Sequence, residues 1–390
     1  MSFNYYQPTK IIFGNGKVDT IGEEAVALGK RVLIVTVPLF PAITGGFQKI
    51  KSSCIAAGME VYSFDGVVPN PTVECVDKGS QLAHDNKIDV VIGYGGGSSM
   101  DTAKAIAVGA THPGSPWDYL FFKKEPTTAT LPIISVTTTS GTGSQVTQVA
   151  VMTETETHAK SAIYHENVFP KVAIVDPDLM ATLPSHITAS TGFDAFAHAF
   201  EAYIHAGTNP YIETLALKSI TLVSENLITA VTGGTEEEMQ KSRRNMALAD
   251  TFAGLCIAGA GVTLPHGIGM MISGFCPHIM HGESLALTYP DFMRFTAPEA
   301  QDKFGKVVKI IDPNLSSLSD IEASAQAGMV MDAFLKSIGM WLNFKDLSVD
   351  MTTIREIADH SHDLPDYENN PKIATIDEIY SMLENAYLRV

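Results

Sequence analysis

Five short apolar runs, each followed by a stretch of helical character, occupy the first half of the chain and constrain its fold more than any other feature. They lie at residues 31–37 (RVLIVTV), 61–64 (VYSF), 89–94 (DVVIGY), 131–138 (LPIISVTT) and 171–176 (KVAIVD). The runs are rich in β-branched residues and are nearly continuous in hydrophobicity rather than alternating. Strands of that kind need cover on both faces, and strands separated by helices pair in parallel. An open, parallel α/β sheet is therefore expected. Helices are expected at residues 46–57 and 72–86, the second opening with Asn70-Pro71 as cap and first turn. A hairpin is expected at residues 148–164, where the sequence alternates around a polar turn.

After about Pro184 the pattern changes. Residues 210–230, 236–260, 319–338 and 376–388 carry apolar side chains at helical spacing, and no strand is expected among them. A chain of 390 residues also exceeds the roughly 250–300 at which single cores stop growing. The expectation is an α/β domain at 1–184 and an all-α domain at 185–390, with a ligand cleft between them. One segment of the second half, residues 251–282, contains no Lys, Arg, Asp or Glu. It has the length to span a bilayer, but Gly254, Gly259, Gly261, Gly267, Gly269 and Gly274, with Pro265 and His266, interrupt it. It reads as a buried helix leading into an active-site loop, with no membrane partner.

Charge and cysteine usage narrow the function classes. A net charge of -17 repels phosphate backbones, and there is no Lys/Arg run, so nucleic acid is not an expected partner. Cys54, Cys75, Cys256 and Cys276 form no CxxC pair and read as reduced thiols. The N-terminus lacks a basic region followed by an apolar run. A cytoplasmic location is expected.

Two loops carry the first chemical signal. In DVVIGYGGGSSMDTAKA a buried strand ends at Tyr94, and Gly95, Gly96, Gly97 and Ser98 lead into a helix bearing Asp101. Glycines admit an anion close to the backbone, and the helix N-terminus behind them offers free N–H groups to a pyrophosphate. A tight capped turn would read the same. In ISVTTTSGTGSQVT, Thr138, Thr139, Thr142 and their neighbours crowd a second strand end. Ligand crevices of open parallel sheets lie along that edge.

The second half holds metal-type ligands. The segment from Gly192 to His198 reads as a helix start, placing Asp194 and His198 four apart on one face, with Glu201 and His205 extending the stripe. His266, His278 and His281 stand in the uncharged segment, where an imidazole is costly unless bonded or metal-bound. An ordinary helical pair and satisfied core histidines remain open readings of these residues.

The motifs GGGSSMDTAKA, TTTSGTGSQVT, KVAIVDPDLMATLP, TASTGFDAFAHAFEAY and the late HG occur in one order along the chain. By these the chain resembles the iron-containing (group III) alcohol dehydrogenases over essentially its whole length. The resemblance implies the fold shared with glycerol dehydrogenases and dehydroquinate synthases. It implies Asp194, His198, His266 and His281 as ligands of Fe(II), with Zn(II), Co(II) or Ni(II) fitting the same donors. His281 is preferred over His278 because the family's last ligand precedes a glycine. It implies Asn70, Gly95, Gly96, Gly97, Ser98, Asp101, Thr138, Thr139, Thr142 and Lys160 as lining NAD or NADP. It also implies a small alcohol or aldehyde substrate and a homo-oligomer built from dimers.

Three departures from the family pattern matter. Val37 stands where an acidic residue often follows the first strand, which removes a repulsion against a 2′-phosphate and admits NADP. Gln145 replaces a common Glu. Met270 replaces a histidine four residues after the third ligand, leaving His278, water or a ribose hydroxyl for any proton relay. The GMMISG stretch resembles the hydroxyacid–oxoacid transhydrogenase branch of the family, a second enzymatic reading. An inactive nucleotide-binding scaffold is the reading of another class.

Overall fold

The structure is a computed structural model describing residues 2–120, 123–156 and 159–390. The chain divides into two compact units. One is Tyr6–Leu183; the other is Pro184–Val390 together with the first residues up to Tyr5.

In the first unit, β1 (Lys10–Phe13), β2 (Arg31–Val35), β3 (Glu60–Phe64), β4 (Val90–Gly95), β5 (Ile133–Thr137) and β8 (Val172–Val175) form one sheet. Their order is β1-β8-β5-β4-β2-β3, and every pairing is parallel. Strand β4 lies near the middle with all six residues buried, as an unalternating run requires. Helices α1 (Ile21–Val26), α2 (Pro41–Ala56), α3 (Val73–Asp85) and α4 (Gly97–Gly109) follow the early strands. The sheet separates two cores. Leu33, Val35 and Val91 pack with α3 and α4, and Val32, Ile34 and Ile92 pack with α2. The hairpin forms from β6 (Val149–Glu154) and β7 (Ala159–Tyr164), antiparallel and separate from the main sheet. Residues 157 and 158 of the expected hairpin lie outside the described residues.

Two local expectations are corrected here. The N-cap of α3 is Thr72, whose hydroxyl accepts from the Cys75 N–H at 3.3 Å; Asn70 instead holds a left-handed turn at φ 50°. Strand β1 was not among the expected runs. It is a four-residue edge strand, KIIF, with no fully buried side chain, and no helical stretch precedes it to frame the run.

The second unit is helical; no strand occurs among its described residues. Its centre is α5 (Ser185–Ile204), buried from Thr188 to its end except at Thr191. A helix buried on all faces serves as the core of a bundle. Around it pack α6 (Pro210–Thr232), α7 (Glu236–Ala260), α8 (Leu264–Phe275) and α9 (His281–Thr296), followed by shorter helices to Leu388. Phe193, Phe200, Tyr289, Phe292 and Phe304 interlock edge to face, with Phe200 and Phe304 ring centroids 5.0 Å apart.

Helix α6 is long and apolar enough to cross a membrane, but it packs along α5 and α7 and buries Ile212, Ala216, Ile220, Val223 and Leu227. The uncharged segment is a bend rather than a span. It ends α7, turns by 102° and begins α8. The helix expected at 319–338 is divided into Asp320–Ser324 and Ala327–Ser337. Gly192 is not a helix start: α5 begins at Ser185, directly after Pro184. A Cβ on Gly192 would lie 2.3 Å from Leu227 Cδ1, so the glycine is there to let α6 approach.

Candidate metal centre and nucleotide loops

Helix α5 presents Asp194 and His198 one turn apart, as their spacing demands. The bend after α7 brings His266 in on the first turn of α8, and His281 is the first residue of α9. Three imidazoles stand around one carboxylate oxygen, and His198 lies outside the tightest group of ligand atoms, that of Asp194, His266 and His281. Asp194 Oδ1 lies 3.5 Å from His266 Nε2, 3.8 Å from His198 Nε2 and 3.9 Å from His281 Nε2. The rings of His198 and His266 stack with centroids 4.5 Å apart. One ligand atom each from Asp194, His266 and His281 lies within 4.8 Å of the others.

These separations are longer than good hydrogen bonds and match another geometry. Two ligand atoms held about 2.1 Å from one tetrahedral cation lie about 3.4 Å apart. Asp194 Oδ1 and His266 Nε2 are also buried without a hydrogen-bond partner among the described residues. Buried polar atoms are normally satisfied, so this pair calls for a ligand. One carboxylate and three imidazoles suit a divalent first-row cation.

The electrostatics agree. Burial works against the Asp194 carboxylate, but the imidazoles of His198, His281 and His266 outweigh it and hold its pKa at about 2. Burial likewise opposes a charged His266, yet Glu201 and Asp194 raise it to about 10. The centre demands positive charge, which a proton or a cation can meet.

Glu201, fully buried one turn beyond His198, orients the third imidazole. Its Oε1 accepts from His266 Nδ1 at 2.7 Å and from the Tyr289 hydroxyl at 3.1 Å. Its Oε2 accepts from the Thr263 N–H at 2.8 Å and the Thr263 hydroxyl at 3.3 Å. With its proton held on Nδ1, His266 turns the Nε2 lone pair toward Asp194, the arrangement seen around many metal-bound histidines. Burial and Glu201 push the Tyr289 phenol well above its usual range, so it stays a donor. Neither Thr263 nor Tyr289 is marked by sequence pattern, because each sits in an uncharged run.

The remaining candidates fall elsewhere. His205 accepts from the Gly207 N–H at 2.8 Å and helps end α5. His278 is exposed, with its Nε2 3.0 Å from the Leu347 carbonyl.

The sheet unit places its two loops side by side, because β4 and β5 are neighbours and Thr138 N–H donates to the Gly95 carbonyl at 2.9 Å. Gly95 has φ 144°, and a Cβ there would meet Ser99 Oγ at 2.4 Å. A Cβ on Gly97 would lie 2.6 Å from Thr142 Cγ2. Only glycine allows the first loop to lie this close to the second. Gly96 caps α4, and Gly96, Ser98, Thr139 and Thr142 are partly exposed while Thr138 is buried. On the hairpin, Lys160 Nζ donates to Asn70 Oδ1 at 3.0 Å, joining two expected cofactor residues.

Asp101 faces inward. Its carboxylate accepts from Ser144 Oγ at 2.6 Å and from the Val151 N–H at 3.1 Å. Behind it lies Lys104, fully buried, a residue that its place in an apolar helix concealed. Lys104 Nζ donates to Ser144 Oγ at 2.9 Å, Thr147 Oγ1 at 3.3 Å and the Val149 carbonyl at 2.7 Å. Burial pulls its pKa down to about 8, opposed by Asp101 4.0 Å away. This network ties the threonine loop to α4. Lys104→Met is therefore expected to cost about 3–5 kcal/mol, because it strands a buried carboxylate and two hydroxyls. Denaturant unfolding measures the loss; a change below about 1 kcal/mol would refute the assignment.

A parallel sheet with paired loops in one unit and a carboxylate–imidazole centre in the other define the class of metal-dependent, dinucleotide-linked oxidoreductases. Residues 8–177 match the family described as iron-containing alcohol dehydrogenase, and residues 188–387 match the C-terminal part of the Fe-containing alcohol dehydrogenase family. The 1,3-propanediol dehydrogenase of Klebsiella pneumoniae is 32% identical over 387 residues, 99% of each chain. The NAD-dependent methanol dehydrogenase of Bacillus methanolicus is 29% identical over 383 residues, 98% of this chain and 99% of its own. The crystal structure of an archaeal halo-thermophilic alcohol dehydrogenase from a Red Sea brine pool superposes with a TM-score of 0.93 at 32% identity, covering 99% of each chain. The chain belongs to the iron-containing alcohol dehydrogenase family.

Proposed function

We propose that this enzyme interconverts small alcohols and aldehydes with NAD or NADP, using a divalent cation held by Asp194, His198, His266 and His281. The convergence of three Nε2 atoms on Asp194 Oδ1 at 3.5–3.9 Å carries this reading. When bound, the cation supplies Lewis acidity toward the substrate oxygen and the dinucleotide supplies the hydride acceptor. Glu201 keeps His266 in the tautomer that ligation needs, and Thr263 and Tyr289 hold Glu201 in place. Met270 has no proton to exchange and His278 points to a backbone carbonyl, so water or a ribose hydroxyl takes the alcohol proton. Fe(II) is the native metal in this reading, with Zn(II) a workable substitute.

In the sheet unit, Gly95, Gly96, Gly97 and Ser98 with the α4 N-terminus receive the pyrophosphate. Thr138, Thr139 and Thr142 bond phosphate or ribose, and Asn70 and Lys160 contact the nicotinamide half. Asp101 acts from behind by positioning Ser144. Val37, half-buried just beyond β2, leaves room for a 2′-phosphate. We further propose a cytoplasmic enzyme, in keeping with four buried free cysteines, and a homo-oligomer built from dimers, as the family resemblance implies.

The test is NAD(P)H formation by Fe(II)- or Zn(II)-loaded enzyme against a panel of small alcohols, repeated with Val37→Asp. Turnover with NADP as well as NAD is expected in the native enzyme. The variant is expected to lose NADP use by about tenfold relative to NAD, from like-charge repulsion. Absence of turnover with every alcohol and both metals would overturn the reading.

A further inference from the structure

Asp366 is a carboxylate that nothing so far explains. It sits in the 3-10 turn Pro365–Asn369, which packs on α8 beside the metal ligand His266. A Cβ placed on Gly267, the residue after His266, would lie 3.6 Å from Asp366 Cβ and 3.9 Å from its Oδ2. The side chain is half-buried, and among the described residues it forms no ion pair. The charged groups acting on it are His266 and Glu201 alone. Burial raises its pKa to about 6, His266 lowers it and Glu201 raises it. A half-buried anion without a cationic partner carries a desolvation cost that packing does not repay.

Charge at the centre gives it a use. A divalent cation with Asp194 carries one net positive charge, and the buried Glu201 behind His266 cancels that charge at a distance. Asp366 then makes the surroundings net negative, on the side of α8 that Gly267 leaves without a side chain.

We propose that Asp366 is a specificity-determining residue, a charge filter that admits alcohols with neutral or cationic tails and rejects those carrying a carboxylate or sulfonate near the carbinol carbon. The inference rests on the alcohol dehydrogenase reading above and deepens it. It also separates that reading from the transhydrogenase alternative, whose hydroxy acids are anions. At an effective dielectric near 20, like unit charges separated by roughly 7–10 Å change relative affinity roughly ten- to fifty-fold.

The experiment compares metal-loaded native enzyme and Asp366→Asn on three alcohols of matched length: 3-aminopropan-1-ol, propane-1,3-diol and 3-hydroxypropanoate. In the native enzyme kcat/KM is expected to be lowest for the anion. Asp366→Asn is expected to raise the anion-to-diol ratio of kcat/KM at least about tenfold, with the diol value changed less than threefold. Binding gives a second readout. The affinity of Co(II)-loaded protein for 3-hydroxypropanoate, followed in the visible absorption of the ion, is expected to tighten about tenfold in the variant. Thermal unfolding of Asp366→Asn should match the native protein, because the amide keeps the side chain's shape and its oxygen can accept the same bond from the residue's own backbone N–H.

Turnover with an unchanged anion-to-diol ratio would overturn the inference and leave the dehydrogenase reading standing. An equal loss for all three alcohols would make Asp366 part of the chemistry and likewise overturn the filter. No turnover with any alcohol in either protein would overturn the dehydrogenase reading, and the inference with it.

Discussion

Replacement of His266 by alanine is expected to abolish metal retention and turnover together. The imidazole is one of the four proposed ligands, its Nδ1 lies 2.7 Å from Glu201 Oε1, and its Nε2 lies 3.5 Å from the Asp194 oxygen. Lewis-acid stabilisation of the substrate oxygen contributes several kcal/mol, and each 1.4 kcal/mol is about tenfold in rate. A loss of at least about 10³-fold in kcat/KM is therefore expected, with metal content falling below one tenth of the native value. Elemental analysis after dialysis and NAD(P)H formation are the two measurements. The variant also leaves Glu201 with one donor fewer, a cost of about 1–3 kcal/mol that a cooperative fold of this size tolerates. Folding is checked by the unfolding midpoint, so that loss of metal is not confused with loss of structure. Native turnover in a metal-free His266→Ala protein would refute the whole scheme.

The second large effect is expected from a residue that binds nothing. A Cβ on Gly282 would lie 2.0 Å from the backbone oxygen of Ser190 and 2.7 Å from its Oγ. Backbone cannot swing aside as a long side chain can, so Gly282→Ala must push the start of α9 away from α5. Ser190 is one turn before Asp194, and Gly282 directly follows His281. The same displacement thus separates two of the proposed metal ligands. Overpacking of this kind costs about 1–3 kcal/mol in stability. Metal affinity is expected to fall about 10–100-fold, as when supporting groups around a metal site are altered. Competition against a chelator of known affinity measures it. Gly45→Ala is the control: its Cβ meets nothing within 4 Å, so metal affinity should not change and stability should rise by up to about 1 kcal/mol. Native metal affinity in Gly282→Ala would show that the crossing of α5 and α9 does not set the site.

The distinction between these two residues also marks what could be read along the chain. Four of the six sheet strands, β2, β4, β5 and β8, are visible as apolar runs because burial on both faces suppresses polar residues. The two edge strands bury no side chain fully: β3 is visible as VYSF between two helical stretches, whereas β1 (KIIF) has no helical stretch before it to frame the run. The pair Asp194 and His198 is visible because one helical turn fixes their separation. Local spacing misplaced the start of their helix by reading Gly192 as a boundary, when the glycine answers to Leu227 on another helix. Lys104 and Tyr289 stayed hidden for a related reason. Each is a polar residue within an apolar context, and its partners are distant in sequence.

The amino-acid sequence by itself determined the parallel sheet, the helical second half, the two loops and the types of ligand available. These depend on periodicity and on backbone freedom, which act between residues a few positions apart. Tertiary structure alone decided which imidazoles gather around Asp194, which carboxylate orients His266, and where Asp366 stands. Those depend on the 102° turn between α7 and α8 and on the close crossing of α9 over α5. Side chains far apart along the chain meet only where packed helices force them together, and no local pattern encodes that distance.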